Sequence, residues 1–269
     1  MDKIIKKIFA FDVDGTLVNR DGNIDSYTKN ILSSLTPPEH YPILVSARPL
    51  RNLLNLSYML WGNEQIIIAY NGAVIAENGS ILIDFPLSTS VVEKLIYYGR
   101  KNQCELGVYC GADWFVESFG PLLEEESKIV GFLPIVLPSL DEIVSRRVHK
   151  VLVLGDAVNI NHLFKTIHSE NIPVNACFSK YNYGEIVSEG VSKASAISLV
   201  CKHLGIPFNE VIAFGDGEND LEMISKAGIG VAMDNAVKSV KDIADFITDS
   251  NENGGVGKAL KRLGYVGEI

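Results

Sequence analysis

Short apolar runs alternate along the chain with segments whose apolar residues recur every three or four positions. Lys7–Val13, Pro42–Ser46 and Gln65–Tyr70 are almost continuously apolar, which is typical of strands buried on both faces of a parallel sheet. Between them, Ser26–Leu35 and Leu50–Leu60 have the spacing of amphipathic helices. The alternation predicts an α/β fold with a doubly wound parallel sheet.

The pattern changes after Gly72. The segment Glu77-Asn78-Gly79-Ser80 separates two short apolar runs and predicts a β-hairpin. From about residue 84 to residue 185, paired strands alternate with helices, and the earlier strand–helix alternation resumes only afterwards. We therefore predict an α+β domain, residues 84–185, that is inserted into a core domain formed by residues 1–83 and 186–269.

Composition and charge exclude several classes of protein. The chain has 269 residues, 47% of them hydrophobic, which suffices for a large core and a smaller accessory domain. Its net charge is −9 and its lysines and arginines are scattered, which argues against nucleic-acid binding. No apolar run approaches the roughly 20 residues that span a bilayer, so we expect no membrane association. The four cysteines form no CxxC pair, and we expect reduced thiols in a cytoplasmic protein.

Two aspartates directly follow the first predicted strand, in the run Phe11-Asp12-Val13-Asp14-Gly15-Thr16. Residues two apart on an extended chain share a side, and open α/β sheets bind ligands at the carboxyl ends of their strands. Carboxylates about 4 Å apart repel by about 4 kcal/mol at an effective dielectric constant of about 20, so this pair needs a cation or a raised pKa. The pair could serve as nucleophile and general acid/base in phosphoryl transfer, or it could be an acidic turn. The apolar strand before it and Gly-Thr after it favour the catalytic interpretation.

Two further residues lie where a phosphate could bind. Ser46 ends the second predicted strand, where its hydroxyl and main-chain N–H could donate to a phosphoryl oxygen, although a serine in such a position is more often a helix cap. Lys193 follows the predicted cap Ser192 at the start of a helix, an electrostatically unfavourable place for a cation. That cost suggests that Lys193 holds an anion, whereas by itself it would more often be an exposed lysine.

A fourth segment supplies acidic oxygens at another strand end. Val211–Phe214 has the pattern of a buried strand and continues into Gly215-Asp216-Gly217-Glu218-Asn219-Asp220. Carboxylate oxygens suit a hard divalent cation. By itself the segment could also be a turn rich in Asp and Asn, and its length and glycine positions do not fit an EF-hand.

These four segments, in this order on four strand ends, resemble the haloacid dehalogenase-like (HAD) superfamily over nearly the whole chain. The insert lies between the Ser46 and Lys193 segments, which is similar to the Cof-type phosphatases with a type IIB cap. Ala69-Tyr70-Asn71-Gly72-Ala73 and Asn253-Gly254-Gly255-Val256 also resemble segments of that family. The resemblance implies a Rossmann-like core domain and a cap domain that selects the substrate.

The resemblance implies a Mg²⁺-dependent phosphatase that forms an aspartyl-phosphate on Asp12, with Asp14 as general acid/base. Ser46 and Lys193 would bind the phosphoryl group. The implied metal ligands are Asp12, Asp14 through its main-chain carbonyl, Asp216 and Asp220, the last directly or through water. The implied substrate-binding residues are Arg48, Asn71 and Asn219.

Several alternatives remain open at this stage. The expected partner is a small phosphorylated metabolite, with sugar phosphates first and pyridoxal phosphate or flavin mononucleotide next, while the oligomeric state is unknown. A sugar phosphomutase shares the nucleophile pair, and a phospho-acceptor sensing module is a non-enzymatic alternative that Asp14 disfavours, because a built-in base shortens the life of the intermediate. The aromatic residues of the insert could line the lid or form the core of the cap: Tyr109, Trp114, Phe115, Phe178, Tyr181 and Tyr183.

Overall fold

A computed structural model describes residues 6–63 and 65–265, with fourteen strands and nine α-helices. The strands are β1 (Lys7–Phe11), β2 (His40–Val45), β3 (Ile67–Ala69), β4 (Val74–Glu77), β5 (Ser80–Asp84), β6 (Glu105–Cys110), β7 (Asp113–Val116), β8 (Ile135–Val136), β9 (Val148–Leu154), β10 (Val174–Lys180), β11 (Tyr183–Ser188), β12 (Val211–Gly215), β13 (Ile229–Ala232) and β14 (Phe246–Ile247). The helices are α1 (Ser26–Leu32), α2 (Leu50–Trp61), α3 (Thr89–Lys101), α4 (Pro121–Val130), α5 (Ala157–Ser169), α6 (Lys193–Leu204), α7 (Leu221–Lys226), α8 (Lys238–Ile243) and α9 (Gly255–Arg262). No described helix combines the length and apolar character that crossing a bilayer requires.

The larger sheet has eight strands in the order β14-β13-β12-β1-β2-β3-β4-β5. Neighbours from β14 to β3 pair in parallel, and β4 and β5 add an antiparallel hairpin at one edge. Phe11 at the end of β1 lies opposite Leu44 of β2 and Phe214 of β12. The carboxyl ends of these three central strands therefore meet at one edge of the sheet, which confirms the predicted doubly wound α/β fold.

The smaller sheet has six strands in the order β10-β11-β9-β6-β7-β8, all drawn from the region of the predicted insert and the residues just after it. Its neighbours are antiparallel except for β7 and β8. Among the aromatic candidates, Tyr109, Trp114 and Phe115 are buried, and the Tyr109 and Trp114 rings stack with centroids 5.4 Å apart. Tyr181 is 81% exposed and lies outside this core. The boundaries 84 and 185 stay a prediction, because the limits of a sheet do not define those of a folding unit.

Helix α6 shows how closely local sequence signals can specify an element. Ser192 accepts from the main-chain N–H of Ser195, and Ser195 bonds back to Ser192, which together make a capping box. Gly205 ends the helix in the left-handed conformation. Two elements were not predicted: β8, which pairs only two residues, and α9, whose first turn contains two glycines and gives a weak helix signal.

Gly72 brings α6 close to the larger sheet. It follows β3 with φ of +112°, and a Cβ atom there would lie 2.4 Å from the main-chain oxygen of Ser192. Only glycine combines that backbone conformation with that close approach. The start of α6, which carries Lys193, is thereby held against the end of β3.

We expect Gly72→Ala to lower the free energy of unfolding by about 2–4 kcal/mol, because it adds a steric clash to the cost of a positive φ. Urea denaturation monitored by circular dichroism measures this value. Gly62→Ala is the matched control, since Gly62 also has positive φ, +71°, but no atom lies within 4 Å of its added Cβ. The control should lose only about 1 kcal/mol, and equal losses in the two variants would contradict the proposed close approach.

Candidate active site

A buried lysine joins two aspartates beneath the carboxyl edge of the larger sheet. The Nζ atom of Lys193 lies 2.6 Å from Oδ1 of Asp12 and 2.6 Å from Oδ1 of Asp220. Their exposed fractions are 1% for Lys193, 6% for Asp12 and 0% for Asp220. The unfavourable position of a lysine in the first turn of α6 is thus explained, because both carboxylates lie within reach of its ammonium group.

The second oxygen of Asp220 organises the loop after β12. It accepts main-chain hydrogen bonds from Asp216 at 2.9 Å and from Gly217 at 3.0 Å. Both oxygens of Asp220 are therefore engaged, one by Lys193 and one by the loop. This arrangement favours an indirect role for Asp220 at a metal over direct ligation.

Asp216 lies across the site from this lysine and against the turn that follows Asp14. Thr16 donates from Oγ1 to Oδ1 of Asp216 at 2.9 Å. A Cβ atom on Gly15, where φ is +81°, would lie 2.3 Å from Oδ2 of Asp216. The Gly-Thr pair after the two aspartates thus allows the close approach of Asp216 and orients its carboxylate.

Oxygens of Asp12, Asp216 and Asp220 lie within 4.8 Å of one another, as ligands of a single cation would. Burial raises the pKa of Asp12 well above its usual range, and the charges of Asp220 and Asp216 add to this effect while Lys193 opposes it. Burial and Asp220 likewise raise the pKa of Asp216 to about 6. One lysine does not balance three carboxylates, so the donor set fits a divalent cation that would favour the ionised forms.

Asp14 points to the other side of the site, where Arg48 binds it. Nε and Nη2 of Arg48 donate to the two oxygens of Asp14 at 2.8 and 2.7 Å. Burial alone would raise the pKa of Asp14, but the hydrogen bond and charge of Arg48 outweigh it and the pKa is lowered. The Asp14 carboxylate is not part of the cluster of three, so any metal contact of Asp14 would come from its main-chain carbonyl.

Ser46 lies buried at the end of β2, with an exposed fraction of 1%. Its Oγ accepts from the main-chain N–H of Arg48 at 3.1 Å, which leaves the hydroxyl proton for a ligand. Its own main-chain N–H donates to the carbonyl of Ile68 at 2.9 Å. The expectation that this N–H is available to a phosphoryl oxygen is therefore wrong, and only the hydroxyl remains.

Asn71 and Asn219 connect the site to the smaller sheet. Asn71 is buried with φ of +56°, a conformation that asparagine tolerates better than most residues. Its Nδ2 donates to Glu185 of β11, and its Oδ1 accepts from Asn219 at 3.1 Å. Asn219 also lines the cavity described next, whereas Asn71 does not, so Asn71 is a link between the sheets.

A cavity of about 130 Å³ lies between the edge of the larger sheet and the face of the smaller one. The larger sheet and its loops contribute the predicted site residues Asp12, Asp14, Ser46, Arg48, Asp216 and Asn219. The smaller sheet and α4 contribute charged and hydroxyl groups: Glu126, Lys150, Ser179, Lys180, Tyr183 and Glu185. Lys193 lies beneath the floor, in contact with Asp12.

Of the residues in the second group, only Tyr183 was among the candidates predicted from the sequence. One signal was present, since Lys150 and Glu185 lie in the largely apolar strands β9 and β11, where a charge is costly to bury. Their exposed fractions are 2% and 5%. Glu126 gave no such signal, because it is one of three consecutive glutamates on the amphipathic helix α4.

Comparison with known proteins gives consistent matches over nearly the whole chain. Residues 9–260 match the family model of the haloacid dehalogenase-like hydrolases. A 5-amino-6-(5-phospho-D-ribitylamino)uracil phosphatase of Bacillus subtilis (strain 168) is 28% identical over 266 residues, which cover 94% of this chain and 96% of the relative. These matches confirm the resemblance inferred from the motifs.

Solved structures agree with the sequence matches. A haloacid dehalogenase-like hydrolase from Bacteroides thetaiotaomicron superposes with a TM-score of 0.87 at 30% identity, covering 96% of this chain and 99% of the other. A sugar phosphatase of HAD subclass IIB superposes with a TM-score of 0.85 at 23% identity, covering 97% of this chain and 100% of the other. The second match shows that the two proteins share a fold.

Replacing Lys193 by methionine should lower the free energy of unfolding by about 3–5 kcal/mol, because two buried carboxylates lose their shared cation. The pKa of Asp12, which burial already raises in the folded state, would then rise further without the opposing charge of Lys193. Carboxylates with raised folded-state pKa values lose stabilising protonation as the pH increases. The loss should therefore be larger near pH ~8 than near pH ~5, which urea denaturation at both pH values measures.

Lys226→Met is the matched control, since Lys226 is an exposed lysine that pairs with Glu222 one helical turn away. Its loss should be about 0.5 kcal/mol with little dependence on pH. A Lys193→Met variant as stable as this control at both pH values would contradict the role of Lys193 as a buried counter-ion.

Proposed function

This chain belongs to the haloacid dehalogenase-like hydrolases and acts on phosphoric monoesters, and we propose that it is a Mg²⁺-dependent phosphatase whose nucleophile is Asp12. The preferred substrates would be sugar phosphates. The observation that carries this proposal is the position of Asp12, buried at the floor of the cavity and held by Lys193 at 2.6 Å. Burial with one fixed oxygen orients the other oxygen for attack.

In the first step an oxygen of Asp12 attacks the phosphorus atom of the substrate, and the bond from phosphorus to the leaving oxygen breaks. Lys193 holds the other Asp12 oxygen and offsets charge on the transferring group, while the Ser46 hydroxyl donates to a phosphoryl oxygen. Asp14 gives a proton to the leaving oxygen. An aspartyl-phosphate on Asp12 and a free alcohol result.

In the second step Asp14, now a carboxylate, takes a proton from water. The water oxygen attacks phosphorus, the bond to Asp12 breaks, and inorganic phosphate leaves. Asp14 is thereby restored to its protonated form. The same residue thus serves once as acid and once as base.

Arg48 must release Asp14 before this cycle can begin. The bidentate contact keeps Asp14 ionised, whereas the first step needs it protonated. A phosphate group offers the planar guanidinium an equally good bidentate partner. We infer that the substrate phosphate takes over Arg48, which frees Asp14 to turn towards the leaving oxygen.

Mg²⁺, when bound, would supply positive charge that offsets the phosphoryl group and the aspartates. Asp12, Asp216 and the main-chain carbonyl of Asp14 would hold it. Asp220 would support the site indirectly, because it positions the loop that carries Asp216 and the ammonium of Lys193. The close approach of the Asp12 and Asp216 oxygens, within 4.8 Å of each other, supports their part in this assignment.

The substrate class follows from the size and polarity of the cavity. The relative of 28% identity is named for a substrate with a phosphorylated ribityl chain, which supports a small polyhydroxylated metabolite here. Pyridoxal phosphate and flavin mononucleotide remain the alternatives. Their aromatic rings favour stacking surfaces, whereas this cavity is lined mostly by charged and polar side chains.

Phosphate release from a panel of phosphomonoesters tests the proposal. The wild type should release phosphate with Mg²⁺, and EDTA should abolish release until excess Mg²⁺ restores it. Asp12→Asn should lower kcat by at least about 10³-fold, because an amide is a poor nucleophile. Colorimetric phosphate assays measure both effects.

Asp113→Asn is the control, since Asp113 is an exposed aspartate that does not line the cavity, and it should keep wild-type kcat. Full turnover in Asp12→Asn would exclude Asp12 as nucleophile, and activity unchanged by EDTA would exclude the metal. Transfer of phosphate between positions of a sugar, dependent on a sugar bisphosphate and without net release, would instead indicate a phosphomutase.

A further inference from the structure

Four buried polar side chains form the wall of the cavity opposite Asp12. They come from α4, β9 and β11 of the smaller sheet and its helices, and their exposed fractions do not exceed 6%. They are Glu126, Lys150, Tyr183 and Glu185, and all four line the cavity. We refer to them as the distal wall, since they lie beyond the predicted phosphate site.

Tyr183 carries an unsatisfied polar atom. Its Oη is buried and has no hydrogen-bond partner among the residues that the structure describes. A buried hydroxyl without a partner is costly, so such groups are rare in folded proteins and each one calls for an explanation. Tyr183 is 3% exposed and lines the cavity, which makes a ligand hydroxyl the natural partner of its Oη.

Lys150 and Glu185 tie the distal wall to the larger sheet. Nζ of Lys150 donates to the carbonyl of Ala47 at 2.9 Å and lies 3.5 Å from Oε1 of Glu185. The other oxygen of Glu185 accepts from Asn71. Since Ala47 directly follows Ser46, the wall is held at a defined position relative to the proposed phosphate site.

Glu126 has one carboxylate oxygen that accepts no hydrogen bond from the described residues. Its Oε1 accepts from the Tyr109 hydroxyl at 2.8 Å, which leaves Oε2 for a donor from a ligand. No cation lies within ion-pair distance of Glu126 among the described residues. Burial raises the pKa of Glu126, and the charge of Lys150 opposes this effect. With both glutamates ionised, Glu126, Glu185 and Lys150 together carry one net negative charge. Lys180, also at the cavity, is exposed, so water screens its charge.

The aromatic rings near the wall do not offer open stacking surfaces. Lys150 lies 4.6 Å from the centre of the Tyr109 ring, and Lys180 lies 4.8 Å from the centre of the Tyr183 ring. The cavity of about 130 Å³ includes both the proposed phosphate site and the distal wall, so the space for a leaving group is small. A single small ring or a short chain fits, and its contacts would be polar.

We propose that the distal wall binds the hydroxyl groups of an uncharged polyol or monosaccharide leaving group, and that Glu126 excludes leaving groups with a second anionic group. Carboxylate oxygens accept from the hydroxyls, while Tyr183 and Lys150 donate to them. A carboxylate or second phosphate on the leaving group would face Glu126 and Glu185, and like charges in such a setting repel strongly. This assignment rests on the proposed phosphatase function.

Three six-carbon substrates separate these effects: sorbitol 6-phosphate, 6-phosphogluconate and hexyl phosphate. The first has hydroxyls and no second charge, the second adds a carboxylate, and the third lacks hydroxyls. The wild type should have its highest kcat/KM on sorbitol 6-phosphate. Tyr183→Phe should lower kcat/KM on that substrate by about 3- to 10-fold, mainly through KM, and change hexyl phosphate by less than about 2-fold.

Whereas Tyr183→Phe should lower kcat/KM on sorbitol 6-phosphate, Glu126→Gln should raise kcat/KM on 6-phosphogluconate. The amide keeps an oxygen for the Tyr109 hydroxyl but removes the negative charge. The ratio of kcat/KM on 6-phosphogluconate to that on sorbitol 6-phosphate should rise by about 10-fold or more. A damaged fold would lower activity on every substrate, so a gain on one of them identifies a specificity role.

Tyr181→Phe and Glu124→Gln are the matched controls, since both residues are exposed neighbours of the tested residues and neither lines the cavity. Both should keep the wild-type kcat/KM values. Tyr183→Phe should not lower the thermal midpoint, because the lost oxygen has no partner in the described residues.

Equal losses on sorbitol 6-phosphate and hexyl phosphate in Tyr183→Phe would overturn the hydroxyl contact. An unchanged substrate ratio in Glu126→Gln would overturn the exclusion of anions. A wild type that hydrolyses hexyl phosphate as well as sorbitol 6-phosphate would overturn the whole subsite, yet keep the phosphatase function. Absence of Mg²⁺-dependent release from all three substrates and from p-nitrophenyl phosphate would instead overturn the phosphatase function on which the subsite rests.

Discussion

The contact of Lys193 with Asp12 and Asp220 is the constraint on which the rest of the site depends. The three side chains come from different parts of the fold: the start of α6, the residue after β1 and the segment after β12. None has an exposed fraction above 6%. Burying such charges is costly unless they are paired. The elements must therefore meet with a precision of a fraction of an ångström, and Gly72, the cap of α6 and the hydrogen bonds of Asp220 serve that requirement.

The charged groups around the cavity change in sign from its floor to the distal wall. Lys193 lies beneath Asp12 at the floor, where the proposed metal would also bind, Arg48 lies beside Asp14, and the distal wall opposite carries net negative charge when its two glutamates are ionised. A phosphate ester of a neutral polyol matches this order, since its anionic end meets the cations and its hydroxyls meet the carboxylates. The distal wall would thus match the hydroxyl groups of the leaving group, as the cations at the floor match the charge of the phosphoryl group.

Residues at strand ends could be predicted from the sequence, whereas contacts between the two sheets could not. Asp12, Ser46 and Asp216 follow buried strands directly, so the parallel order of the strands suffices to bring them together. Lys193 could be predicted from the helix cap Ser192 before it and from the electrostatic cost of a lysine at the start of a helix. The pairing of Arg48 with Asp14, and the meeting of Lys150 with Ala47 across 103 positions, depend on how the smaller sheet and the loops pack on the larger sheet. The sequence showed only that Lys150 lies in a largely apolar strand.

The most direct test is to trap the phosphoryl group on Asp12. In Asp14→Asn the first step should proceed with p-nitrophenyl phosphate, whose leaving group needs no proton, while hydrolysis of the intermediate slows because the base is absent. Rapid acid quench followed by peptide mass spectrometry should find one phosphoryl group on the peptide that contains Asp12, and none when Asp12 is also replaced by asparagine. Fast turnover of Asp14→Asn with no phosphorylated peptide, or a phosphoryl group on another residue, would contradict the account.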